Sequence, residues 1–115
     1  MSKAVQITEQ YIRLSNERDL DTIRTLFTPS STYSSDATGI FLGVEQIMEM
    51  QSKFFALFPY LRWDVQELEE VKPGVVRFTF TLHAQNEHGE DSVRQGVEHV
   101  VVFEDNIQHV EVRSA

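Results

Sequence analysis

The apolar pattern of this chain changes period once, across "FFALFPYLRWDVQEL", and that change limits the folds open to it. Before Pro59, apolar residues recur at helical spacing; from Leu61 onward they alternate. Residues 2 to 17 read as a helix, with Ala4, Ile7, Tyr11 and Leu14 on one face and Val5 and Ile12 widening the stripe. Asp19 can cap a second, short helix whose buried side is Leu20, Ile23 and Phe27, and Pro29 marks its end. The turn-forming "STYSSDATG" holds one short strand around Thr32 to Ser35. Gly43 opens a third helix with Val44, Ile47, Met48, Gln51, Phe54, Phe55 and Phe58 along one face. Pro59 stops it, because the residue before a proline is pushed out of the helical region.

The second half reads as strands. "LRWDVQEL" alternates, and "KPG" is a turn. "VVRFTFTLHA" sets Phe78, Phe80, Leu82 and Ala84 against Arg77, Thr79, Thr81 and His83. "SVRQGVEHVVVF" groups Val93, Val97, His99, Val101 and Phe103, and "IQHVEV" sets Val110 and Val112 inward with His109 and Glu111 outward. Reading "EHGE" and "EDNI" as two-residue turns, at His88-Gly89 and Asp105-Asn106, pairs Phe78 with His99 and His99 with Val112. On that register His99 lies on the apolar, concave face. Three N-terminal helices packed on a curved antiparallel sheet make an α+β fold. Helices so few cannot fully cover a strongly bent sheet, so a cone enclosing a pocket is expected. At 115 residues the whole chain, 1–115, is expected to form one domain.

Composition narrows function by exclusion. With 10 basic and 18 acidic residues the formal charge is −8, a surface that repels phosphate backbones and anionic lipid. No nucleic-acid or membrane partner is therefore expected. There is no cysteine, which excludes a disulfide framework, a thiolate zinc site and a cysteine nucleophile. His83, His88 and His109 are scattered and no histidine pair has i, i+4 helical spacing, so no metal site is expected. No glycine-rich phosphate loop occurs, and no cofactor is expected. "MSKAVQITEQ" has no long apolar core, and the longest apolar runs are too short to span a bilayer; a cytoplasmic, soluble protein is the expectation.

Order and spacing together resemble the nuclear transport factor 2-like superfamily, in particular its SnoaL-like polyketide cyclase and ketosteroid isomerase-like branch. "YIRLSNERDLDTIRTLFTPSSTY" is similar to the family's opening helices and first strand, "FLGVEQI" to the entry to its third helix, and "FPYLRWDVQELEEVKPGVVRFTFTLHA" to its next strands. Tyr60 stands where the SnoaL-like pattern has an aspartate. The resemblance implies a pocket protein that dimerises by stacking outer sheet faces, here Arg77, Thr79, Thr81, Arg94, Glu98, His109, Glu111 and Arg113. It also implies site positions: the catalytic tyrosine falls on Tyr11, the general-base aspartate on Ser35 with Asp36 beside it, and the protonated aspartate on His99. A serine cannot abstract the proton, so that departure touches the family's isomerisation mechanism directly.

The candidates divide accordingly. His99 is either a proton-handling group, the usual chemistry of an imidazole in a pocket, or a core histidine satisfied by its neighbours. Tyr11 is either a donor to a ligand oxygen or an aromatic packed on the sheet. Asp36 is either an assisting acid or an exposed loop residue. Ser35, Tyr33, Phe55, Phe58, Trp63, Phe78, Phe80, Val97 and Val112 are expected to bind the ligand, because the core of a cone is also the wall of its pocket. Two functions follow: an isomerase- or cyclase-type enzyme moving a proton on a small apolar carbonyl or hydroxyl compound, or a non-catalytic ligand-binding or dimeric interaction domain.

Overall fold

The computed structural model describes residues 2–115. Three helices come first: α1 (Lys3–Glu17), α2 (Leu20–Arg24) and, after two short strands, α3 (Gly43–Leu57). The strands are β1 (Thr32–Ser35), β2 (Gly39–Leu42), β3 (Tyr60–Lys72), β4 (Val75–Gln85), β5 (Asp91–Phe103) and β6 (Asn106–Ser114). They form one curved, unclosed sheet in the order β2-β1-β6-β5-β4-β3. All neighbours are antiparallel except β1 and β6, which run parallel with Thr32 beside His109. β2 was not expected; "GIFL" is mostly exposed and shows no alternation to betray it.

Capping explains where the helices begin and end. Ser2 accepts from Val5 N at 3.1 Å and starts α1. Arg18 ends it in the left-handed region (φ 61°), its N–H donating to the Leu14 and Ser15 carbonyls. The Arg18 guanidinium then donates to the Phe58 and Phe55 carbonyls at 2.9 and 2.6 Å, tying the end of α1 to the end of α3. Asn16 clamps β3 to α1 by two bonds with the Trp63 backbone, at 2.8 and 3.1 Å. β3 bends at two irregularities in its pairing with β4, one spanning Glu67, whose φ is +54°. Bulges of this kind bend a strand and increase its twist.

The core lies between helices and sheet, with Ile23, Ile47, Phe78, Val100, Ile107 and Val110 almost wholly enclosed. The inward faces of β4 and β6 are those expected from their alternation. β5 is not. Its pairs are Phe78 with Glu98, Arg77 with His99, Glu98 with Val112 and His99 with Glu111. Arg94, Gly96, Glu98 and Val100 therefore share the concave face with Phe78 and Val112, whereas Val97, His99 and Val101 point outward.

Both hairpins explain the shift. The β4–β5 connection has a three-residue tip, Glu87–His88–Gly89, closed by Gly89 N to Asn86 O (3.0 Å) and Asn86 N to Glu90 O (3.1 Å), with Gly89 at φ +79°. The Asn86 side chain fixes this turn by accepting from His88 N (2.9 Å) and Glu90 N (3.0 Å). The β5–β6 turn is centred on Glu104-Asp105, both at positive φ (47° and 70°), the type I′ geometry, and a bulge follows at Val101/Val102. A one-residue slip exchanges the two faces of a strand.

Candidate active site

A cavity of about 60 Å³ opens between the helices and the concave face. Its walls are aromatic and aliphatic. Phe54 and Phe55 of α3 pack against Trp63 of β3 with ring centroids 6.4 and 6.1 Å apart, and Phe78 and Phe80 of β4 form the floor, 6.4 Å apart. Polar groups enter from four elements: Tyr11 from α1, Gln51 from α3, Tyr33 and Ser35 from β1, and Arg94 and Glu98 from β5.

Glu98 is the chemical centre of this set. It is 6% exposed, lies between Phe78 and Val112, and no hydrogen bond or ion pair reaches its carboxyl among the described residues. Burial alone pushes its pKa up to about 8, so the carboxyl is largely protonated at neutral pH. A protonated carboxyl donates a hydrogen bond, and one with a pKa close to ambient pH can also give up and regain its proton.

Tyr11 is positioned beside it. Gln51 Nε2 donates to the Tyr11 hydroxyl oxygen at 3.0 Å, which leaves the phenolic proton free to donate elsewhere. Burial, with Tyr33 and Glu98 nearby, holds the Tyr11 phenol well above its usual pKa, partly offset by the Gln51 bond. Tyr33 is likewise raised by burial and by Glu98. Gln51 Oε1 is buried without a partner. Three neutral donors, Tyr11, Tyr33 and protonated Glu98, and one unsatisfied acceptor thus line an apolar cavity, an arrangement that binds a carbonyl or hydroxyl group and stabilises charge developing on its oxygen.

The sequence candidates are distributed unevenly around this site. Tyr11, Tyr33, Ser35, Phe55, Trp63, Phe78, Phe80 and Val112 line the cavity. His99 does not; it lies on the outer face between Arg77 and Glu111, and the apolar surroundings expected for it belong to Glu98. Val97 is also on the outer face, opposite Thr79 and Arg113. Phe58 sits behind Phe54, ring centroids 5.1 Å apart, and does not reach the cavity. Asp36 is exposed and bound to Ser114, through its backbone N at 2.8 Å and Oγ at 3.2 Å. Those bonds, the backbone one first, hold its carboxyl below the ordinary range, so it is a structural clasp on the end of β6. Arg94 and Glu98, expected on the outer face, are inside. Nothing in local composition distinguishes Glu98 from a solvated strand residue; only the length of the β4–β5 tip, readable in Asn86 and Gly89, carries the signal.

The sequence profile of the SnoaL-like domain matches residues 8–110, nearly the whole chain. The chain belongs to the SnoaL-like family. This SnoaL-like domain shares the nuclear transport factor 2-like fold with many solved structures. One is an NTF2-like protein of unknown function from Burkholderia pseudomallei (TM-score 0.88, 13% identity, covering 100% of this chain and 92% of that one). Another is TerC co-crystallised with polyporic acid (TM-score 0.85, 15% identity, 99% and 92%). A third is a protein of ketosteroid isomerase-like fold from Catenulispora acidiphila in complex with trimethylamine (TM-score 0.82, 14% identity, 92% and 82%). At these identities the likeness is one of fold. No curated protein matches the chain. None of the described helices of the SnoaL-like domain is long and apolar enough to cross a membrane.

Proposed function

We propose that this SnoaL-like domain binds a small, largely apolar carbonyl or hydroxyl compound and moves a proton on it, in the manner of an isomerase or cyclase. The observation that carries the reading is the unpartnered Glu98 carboxyl, buried in an apolar cavity beside the free donor of Tyr11. In this scheme Tyr11 donates to the ligand oxygen, and the ionised fraction of Glu98, accessible with a pKa of about 8, takes the α-proton as the charge moves onto that oxygen and then returns it to the ligand. Ser35 is a wall residue, its Oγ accepting from Ala37 N at 3.1 Å. That TerC was co-crystallised with polyporic acid, and the C. acidiphila protein with trimethylamine, supports the use of this fold to hold small molecules.

The experiment follows α-proton exchange of a panel of small ketones in D2O by NMR, with wild type and Glu98→Gln. Exchange that is lost in the variant, while the ketone still binds, supports proton transfer. Binding without any exchange in the wild type leaves the second function, a non-catalytic ligand-binding domain. The serine at the position where ketosteroid isomerase-like relatives keep a carboxylate favours that alternative.

We further propose a homodimer formed through the outer sheet face, where Arg77, Thr79 and Thr81 of β4 lie beside Val97 and His99 of β5 and Glu111 and Arg113 of β6. Glu111 pairs with both His109 and Arg113 within the chain. Sedimentation equilibrium tests this; a monomer at all concentrations rejects it.

A further inference from the structure

We propose that Arg94 anchors a carboxylate, so that the ligand is a small carboxylic acid with an apolar body and a hydroxyl or carbonyl group at its far end. This rests on the pocket reading above and adds the class of ligand.

Two observations converge. The first is Arg94 itself. It is half-buried, lines the cavity, and forms no ion pair among the described residues. Its strand neighbour on the same face is Leu82, which offers no counter-charge. A guanidinium that lines a cavity without an ion pair, its nearest carboxylate Asp36 being held by Ser114, is suited to a bidentate anion from outside. A phosphate fits less well, because Arg94 is the only cationic residue lining the cavity among the described residues and Asp36 lies close enough for the two charges to influence each other.

The second observation is the size of the cavity and the spacing of its ionisable groups. Arg94 and Glu98 are four residues apart on one face of β5, about 13 Å along the strand. The cavity volume of about 60 Å³ is less than half of the roughly 150 Å³ that encloses benzene. The more buried end, at Glu98, therefore takes an oxygen function and a few carbons, and the rest of the ligand extends along β5 toward the half-buried Arg94. Gln51 Oε1 is buried, unpartnered and in need of a donor, while Tyr11 has a proton to give. A ligand hydroxyl satisfies both.

The test uses the full chain with a matched pair of probes, 4-hydroxyphenylacetate and its neutral amide, titrated by NMR into wild type, Arg94→Gln and Arg94→Lys. The expected result is an acid that binds wild type at least about tenfold tighter than the amide. Arg94→Gln removes that preference, so that acid and amide bind it alike, and Arg94→Lys restores only part of it. Equal binding of acid and amide to wild type overturns the anchor and leaves the pocket standing. So does a preference that survives Arg94→Gln. Failure of both probes to bind at millimolar concentration, with no shift of Gln51 or Phe78 signals, overturns the ligand class and counts against the pocket reading as well. Arg94 is half-buried and holds no ion pair among the described residues, so the variants are expected to fold; the dispersion of their amide spectra checks this in the same experiment.

Discussion

Glu98 and His99 are consecutive residues of β5 and occupy opposite environments. Glu98 faces Phe78 and Val112 with no polar partner, 6% exposed, and keeps its proton to about pH 8. His99 stands outside among Arg77 and Glu111, on a face where charges of both signs are solvated. Residue type alone would assign them the other way round, since an acid is the commoner surface residue and a histidine the commoner buried one. Register outranks composition here: the acid is inside because a three-residue tip in the preceding hairpin places it there.

The sharpest way to break this contrast is to remove the acid and leave its shape. The unfolded chain holds the Glu98 proton with an ordinary carboxyl pKa of 4.5, the folded chain up to about 8. Between those values the folded state binds more protons, so stability falls as pH rises through the window and levels off above it. Glu98→Gln is neutral at every pH. It is expected to match wild type near pH 4 and to exceed it above pH 8 by up to about 5 kcal/mol. Urea denaturation of both proteins at a series of pH values reads this directly. Asp36 and Glu111 work in the opposite sense and at lower pH, because hydrogen bonds hold both carboxyls below their usual range. A variant that keeps the wild-type slope above pH 5 would place the buried acid elsewhere.

How far the sequence discloses this arrangement depends on what each element hides. α1, α2 and α3 bury one side and solvate the other, so period and caps are enough to find them. β4 and β6 alternate cleanly, and Phe78, Phe80 and Val112 fall on the cavity side as their alternation implies. β5 misleads because its outward residues Val97 and Val101 are apolar and its inward residues Arg94 and Glu98 are ionisable, the reverse of the usual pattern. Gly96 lies between those two on the same face and carries no hydrophobic signal at all. The strand that contributes the site's chemistry is thus the strand whose pattern is inverted, as expected where function overrides packing. β2 is illegible for a different reason: it is a short edge strand that pairs with β1 alone and buries too little to impose a pattern.

Gly96 sharpens the contrast at intermediate scale. A Cβ built there lies 2.5 Å from the Phe80 ring and 2.7 Å from the Arg113 carbonyl oxygen. The absent side chain lets Phe80 lie flat against β5 between Arg94 and Glu98, which shapes the cavity floor. Gly96→Ala must displace the ring or spread β5 from β6, and is expected to cost about 1–3 kcal/mol. The same substitution should alter the NMR shifts of Phe80 and weaken binding of any ligand that occupies the cavity. A neutral effect on both would mean that the floor is plastic and that its shape does not select ligands.

The smallest expected effect is at His99. Its side chain makes no hydrogen bond to the described residues and cannot reach the cavity without a flip of β5. His99→Ala should therefore leave the affinity of a pocket ligand unchanged and alter monomer stability by no more than about 0.5 kcal/mol. Isothermal titration of one ligand against both proteins decides the first point, and loss of affinity comparable to that of Glu98→Gln would reverse the assignment of faces. Stability carries a second reading, because apparent stability depends on concentration whenever folding is linked to association. If His99→Ala costs little at low protein concentration and progressively more at high concentration, the residue contributes to the outer-face dimer. The histidine would then serve a partner chain through the convex side of the same strand whose next residue serves the ligand through the concave side.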